Sequence, residues 1–331
     1  MNTRPSLEGS RVVGPPLREI FGLAVVELAS SDPRILLLDA DVGNSTRADI
    51  FAEAYPERYL PMGIAEQNMM GVAAGLTTMG FLPFATTFAA FAAKRALDQI
   101  RVLIAQPRLP VKIAVGYTGL LTGMTGKTHQ VVEDVTIMRA MPNMVVLDPT
   151  DAVEMRQAVK AAADTEGPVY LRVYREGTPT IFDDTYRFQI GQAPLLRVGR
   201  DVALISSGPQ TGRVLAAAEL LAQSDVEARV VHVPTIKPID EAAIVAAADA
   251  TDFVITVEEH SILGGLGGAV AEVLGEQRPT RLHRLGLRDV YAESGPSEEL
   301  LDKYELSPQR VAASVLAILE KRSERTAAAT F

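Results

Sequence analysis

The chain has 331 residues, 47% of them hydrophobic and 22% charged, with a formal net charge of −9 and no cysteine. That balance excludes a disordered chain, and the missing cysteines exclude disulfides, thiolate nucleophiles and cysteine-ligated zinc or iron–sulfur centres. The acidic charge makes nucleic acid and anionic membrane poor default partners, leaving a local basic pocket for a phosphorylated metabolite open.

The first residues carry Arg4 and Arg11 but no apolar core of signal-peptide length. The oily stretch 67–93 is interrupted by Gly, Thr and Pro and followed by Lys94, so no membrane span is expected and the protein reads as cytoplasmic. A helix is expected at 17–29, a buried strand at 35–38, and helices at 66–79 and 88–105. Strands follow at 111–115 and 144–147, then a helix at 151–163 and a strand at 169–173. Segment 176–194, rich in turn residues, reads as a linker. Beyond it strands at 202–205, 228–233, 253–257 and 281–286 alternate with helices at 211–222, 240–249, 267–275 and 308–322. The tail 323–331 is expected to fray. The alternation predicts an α/β fold in two domains, 10–190 with a mostly parallel sheet and a smaller one at 195–322.

Five features could carry chemistry. The glycines of 264–268 lie between a strand and a helix, but their spacing does not fit a dinucleotide fingerprint. They read as glycines for close packing, which excludes a Rossmann dehydrogenase. Glu66 stands among Gly, Ala, Ile and Met, so either a partner shares its proton or backbone donors at a helix start satisfy it. Phe88 and Phe91, three apart, could share a helical face as a stacking platform or belong to the core. His129 ends a Gly/Thr-rich loop after a strand, where α/β active sites form, and suits proton transfer. That loop has no glycine five positions before Gly126, so it is not a nucleotide-phosphate loop. Arg18 and Arg175 stand at element boundaries and could grip an anion.

In this order the segments GIAEQNMMGVAAGL (63–76), FLPFATTFAAFAAKRALDQIR (81–101), THQVVEDVTIMRAMPNMVVLDPTDAVE (128–154) and VEEHSILGGLGGAVAE (257–272) resemble the transketolase family of thiamine diphosphate enzymes. The resemblance covers about 18–319 and corresponds to the carboxyl half, a pyrimidine-binding domain plus the family's C-terminal domain. No Gly-Asp-Gly metal motif is present. The resemblance therefore implies a partner subunit that binds the diphosphate and Mg²⁺, an expected 2+2 heterotetramer packed through small-residue runs such as 71–75, and an inactive chain when alone.

By position, Glu66 matches the glutamate that hydrogen-bonds the cofactor's aminopyrimidine and promotes its imino tautomer. Phe88 and Phe91 match the aromatic pair around that ring, and His129 the histidine that handles substrate hydroxyls. Arg18, Ser45 and Arg175 match the phosphate-side residues. The sequence departs from the pattern at Thr125, where an aspartate is usual, at Tyr117, where a histidine is common, and at Lys94, where an aromatic residue often follows. Thr125, Lys94 and Lys127 are accordingly read as substrate-side residues, the lysines adding charge for a phosphate, carboxylate or sulfonate. The expected activity is transfer of a two-carbon ketol unit from a ketose, as its phosphate, to an aldose. Alternatives are chemistry like that of deoxyxylulose-phosphate synthase or a 2-oxo-acid dehydrogenase β subunit, and a non-catalytic scaffold.

Overall fold

The structure, a computed structural model, describes residues 13–329, with side chains to residue 322. Arg4, Arg11 and the last two residues of the tail lie outside the described residues. The strands are β1 Val13–Pro16, β2 Ile35–Asp39, β3 Tyr59–Pro61, β4 Leu82–Phe88, β5 Lys112–Gly116, β6 Val145–Leu147, β7 Val169–Val173 and β8 Gly177–Pro179. They continue with β9 Leu195–Arg197, β10 Val202–Ser206, β11 Ala228–His232, β12 Thr235–Lys237, β13 Phe253–Ser261 and β14 Arg281–Leu287.

One sheet has the order β12-β6-β7-β5-β4-β2-β3, parallel except for β12, and a second has the order β14-β13-β10-β11-β9, parallel except for β9. Helices cover both faces, which is why the central strands read as unbroken aliphatic runs. Successive side chains alternate between faces. Ile35 and Leu37 enter one apolar cluster, while Leu36 and Leu38 enter another. Each cluster continues into the second sheet, through Leu204 on one side and Ala203 and Ile205 on the other.

A buried polar bridge also joins the two halves. Arg172 on β7 donates to Asp134 at 3.0 Å and Asp148 at 3.2 Å, and Asp148 accepts from Tyr174 at 2.7 Å and, across the junction, from Ser207 at 2.7 Å. Buried charges of this kind persist only when paired and hydrogen-bonded.

Three expectations are corrected. The single helix expected at 88–105 is instead the end of β4, a short helix at Ala89–Ala92, another at Leu97–Gln99 and a π-helical turn at Ile100–Ala105. Pro83 and the Thr86-Thr87-Phe88 run favour extended backbone, and Phe88 itself has ψ 142°. Between the two short helices Ala96 donates to the carbonyl five residues back, Phe91, at 3.2 Å, a wide turn of the kind found at functional sites. Segment 176–194 is no free linker. β8 pairs antiparallel with β1, the Asp151 carboxylate accepts from the amides of Ile181 and Phe182 at 2.7 and 2.8 Å, and Phe182 stacks on Tyr186 at 3.7 Å. The chain also crosses back: β12, after β11 of the second sheet, pairs with β6 at the edge of the first. The last helix continues to Ala329, through most of the tail expected to fray. Among the described residues no helix is long and apolar enough to cross a membrane.

Candidate active site

Glu66 opens the helix Glu66–Thr78, whose preceding residue, Ala65, offers no side-chain cap. Its carboxylate is 1% exposed. It is satisfied by a guanidinium, not by backbone donors: Arg95 Nη1 lies 2.9 and 2.8 Å from its two oxygens. The same guanidinium stands 4.4 Å over the Phe91 ring, a cation–π contact.

Phe88 and Phe91 do not share a helical face, since Phe88 ends β4 and Phe91 lies on the helix after it. The strand-to-helix bend nonetheless brings their ring centres to 5.8 Å. Tyr117, the first residue after β5, takes φ 63° and stacks on Phe88 at 4.0 Å. His129 sets its edge against both phenylalanines, at 5.6 and 5.8 Å, while its Nδ1 lies 2.8 Å from the Thr128 hydroxyl. The rings therefore gather at the carboxyl ends of β4 and β5, where ligands of open α/β sheets bind.

Beyond Tyr117 lie the arginines. The backbone of Leu17 donates to the carbonyl of Glu176 at 3.2 Å and that of Arg18 to Tyr174 at 3.0 Å, which brings Arg18 beside Arg175. Arg18 Nη1 donates to the Ser45 carbonyl at 2.8 Å, and Arg175 Nη1 to the Tyr117 hydroxyl at 2.9 Å. Burial, then the charge of Arg175, pushes Arg18 below the usual arginine range. Among the described residues neither guanidinium is bonded to a carboxylate. Two neighbouring guanidiniums, neither bonded to a carboxylate, make this end of the row basic.

Not every expected residue joins this row. The Lys94 ammonium is paired with Glu133, and the Thr125 hydroxyl donates to the Thr122 carbonyl at 2.7 Å, closing its own turn. Lys127 is exposed, and the Ser45 hydroxyl bonds Asn44, only its carbonyl meeting Arg18. A cavity of about 520 Å³ beside the Ser45 helix is lined by Asp39, Asp41, Asp49 and Glu53. Four carboxylates make it unfit for an anionic substrate. The glycines of 264–268 pack, as expected: a Cβ on Gly265 would stand 2.2 Å from Glu258 Oε2, and one on Gly267 2.7 Å from Thr256. The Glu258 carboxyl group accepts from the amides of Leu266 and Gly267 at 2.7 and 2.9 Å, so that helix N-terminus already has its acceptor. Burial pushes Glu258 up to about 7.

Sequence reasoning missed Arg95 and the stacking role of Tyr117. The one available signal was the basic pair Lys94-Arg95 just after the Phe pair, which does not reveal that the two side chains part company.

The sequence matches the family description "Transketolase, pyrimidine binding domain" over residues 14–180 and "Transketolase, C-terminal domain" over 191–311. A "Putative transketolase C-terminal section" of Methanocaldococcus jannaschii is 41% identical, covering 92% of this chain and 96% of its own length. The "6-deoxy-6-sulfo-D-fructose transketolase subunit SqwH" of a Clostridium species is 38% identical over 93% of this chain and 96% of its own length. Among solved structures, "Split gene transketolase, inactive beta4 tetramer" has 47% identity and a TM-score of 0.86, covering 92% of this chain and 98% of that one. This chain spans about half the length of "Transketolase-like protein 1" of Macaca fascicularis, 38% identical over 91% of this chain and 51% of that protein.

Proposed function

The chain belongs to the transketolase family, and from that premise we propose that it is the pyrimidine-side subunit of a split transketolase, moving a two-carbon ketol unit from an anionic ketose to an aldose. One observation carries the reading. A continuous row of contacts runs from the anion grip to the buried carboxylate: Arg175 to Tyr117 at 2.9 Å, Tyr117 to Phe88 at 4.0 Å, Phe88 to Phe91 at 5.8 Å, Phe91 to Arg95 at 4.4 Å, and Arg95 to Glu66 at 2.8 Å.

The residues fit the aminopyrimidine end of thiamine diphosphate. A flat ring needs aromatic neighbours, which Phe88 and Phe91 offer, and a carboxylate for its ring nitrogen, which Glu66 offers from a buried position. When bound, that cofactor supplies the nucleophilic carbon that carries the two-carbon unit; the protein orients it. Glu66 holds the proton at the ring nitrogen. His129, with Nδ1 engaged by Thr128, offers Nε2 to a substrate hydroxyl. Arg18 and Arg175 hold the substrate's anionic end.

A diphosphate and its Mg²⁺ belong, in this reading, to a partner chain, in a 2+2 assembly. Supporting this, the chain covers about half of a full-length relative and nearly all of two relatives named as a section or subunit. The similar structure described as an inactive β4 tetramer supports the expectation that the chain alone does not turn over. A sulfonated ketose is the second reading, since the grip pairs two guanidiniums with a neutral phenol and one relative is named for a sulfo-sugar.

The test is co-expression with a chain carrying the Gly-Asp-Gly metal motif, assayed with thiamine diphosphate and Mg²⁺. Two-carbon transfer from a ketose phosphate or ketose sulfonate by the pair, and by neither chain alone, is expected. Condensation with pyruvate instead would favour acyloin chemistry, and no cofactor-dependent complex would favour a scaffold.

A further inference from the structure

The loop 117–130 leaves β5 carrying Tyr117, Thr125 and His129, and three of its glycines face the second half of the chain. A Cβ on Gly119, at φ 63°, would stand 2.4 Å from Glu259 Oε1. One on Gly123 would stand 2.3 Å from the Gly295 carbonyl, and one on Gly126, at φ 72°, 2.2 Å from the Ser294 hydroxyl. Bonds run through the same points. Glu259, at the end of β13, accepts from the amides of Leu120 and Leu121 at 2.5 and 3.0 Å, and its other oxygen takes Arg213 Nη1 at 3.1 Å. Gly295 donates to the Gly123 carbonyl at 3.1 Å, and Ser297 donates to Glu176, the neighbour of Arg175, at 2.7 Å.

We infer that Glu259 and the strap 293–297 are positioning elements of the substrate site: the second half of the chain, which contributes none of its reacting groups, holds the loop that presents Tyr117 to Arg175. The inference rests on the transketolase reading for the identity of the substrate, but the hold itself does not. Glu259 is 3% exposed, and a buried carboxylate is tolerated there because two amides and a guanidinium surround it. Glu66 and Phe88, by contrast, stand on elements of the first sheet's own layers, so loosening the loop leaves them in place. The consequence falls on substrate affinity through Tyr117 and on turnover through His129, which the same loop carries. The glycines at 119, 123 and 126 are where the loop comes close against the second half of the chain.

The experiment is hydrogen exchange on the full chain, with steady-state kinetics of the partner-assembled enzyme on a ketose phosphate. In Glu259→Ala, segment 117–126 is expected to exchange at least about tenfold faster while β2 and β4 are unchanged. Glu259→Gln, which keeps one acceptor oxygen, falls between. In the assembled enzyme KM rises about tenfold in Glu259→Ala, a fall in kcat through His129 accompanies it, and the Gln variant recovers part of both. Should Glu259→Ala fail to fold, Glu259→Gln and Ser297→Ala carry the test, with exchange faster and KM higher by about threefold. Unchanged exchange at 117–126, equal acceleration across β2 and β4, or an unchanged KM overturns the inference. A wild-type complex that transfers no ketol unit counts against the transketolase reading, and the exchange measurement alone then decides whether Glu259 holds the loop.

Discussion

Arg95 Nη1 bisects the Glu66 carboxylate, 2.9 Å from one oxygen and 2.8 Å from the other, although 29 residues separate the two in sequence. One member is buried and the other half-exposed, so the pair is a lid of charge over an interior carboxylate.

Removing the guanidinium leaves that carboxylate without its cation. Arg95→Ala is expected to lower the stability of the isolated chain by about 1–2 kcal/mol, a value kept small because water screens the exposed partner. Arg95→Lys should recover part of it. Urea midpoints measure this, and an unchanged midpoint in Arg95→Ala would show that the pair is idle. In the assembled enzyme Glu66→Ala should leave less than about a tenth of turnover, since the ring nitrogen loses its carboxylate.

Phe91 is partly exposed beside the fully engaged Phe88–Tyr117 stack. Phe91→Ala should therefore weaken thiamine diphosphate binding to the assembled enzyme by about tenfold, the worth of one aromatic contact, with little change in melting temperature. Phe88→Ala, 7% exposed and in the sheet, should cost about 3–5 kcal/mol of stability as well. Calorimetric titration of the cofactor separates the two; equal losses of stability would contradict the assignment of Phe91 to the ring.

Arg18→Ala and Arg175→Ala each remove a charge-assisted donor worth about 1.5–3 kcal/mol, or about 10–100-fold in KM for an anionic ketose. The effects should be less than additive, because in the proposed reading both side chains hold one group. The corresponding uncharged ketose serves as control. If its KM rises by the same factor, the arginines are not an anion grip.

Lys112 opens β5 at 1% exposure, its ammonium donating to the carbonyls of Thr165 and Gly167 at 2.6 and 2.8 Å. Burial lowers its pKa from 10.5 to about 7. Between those values the unfolded chain binds the proton and the folded chain does not, so stability attributable to this group rises with pH from about 7 to about 10.5, by at most about 1.4 kcal/mol per unit. Unfolding in urea from pH 6 to 9.5 should show wild type gaining on Lys112→Met as pH increases. Parallel curves would sink the shift.

Much of the fold was legible because its signals are local. The aliphatic runs at 35–38 and 169–173 and the helices near 17–29 and 151–163 appear within a residue or two of where periodicity put them. The failures share a cause. The alanine-rich stretch 88–105 looked helical throughout, while β4, which ends at Phe88 and was given no element of its own, was set by pairing with β2 and β5 on either side. β12 found its partner in β6, almost ninety positions earlier, which no window of sequence reports. Within the site, Glu66, Phe88, Phe91, His129, Arg18 and Arg175 were chosen for their chemistry and converge. Lys94, singled out as a departure from the family pattern, pairs instead with Glu133.

The amino-acid string by itself determined the α/β layering and the absence of thiol chemistry, since hydrophobic period and residue type act over a few neighbouring positions. Which groups face one another was decided only in three dimensions. Tyr117 reaches Arg175 across 58 residues and Arg95 reaches Glu66 across 29, through contacts that exist only once parallel strands have brought their carboxyl ends side by side. Hydrogen bonds and ring contacts work over a few ångströms of space, and distance along the chain does not measure that.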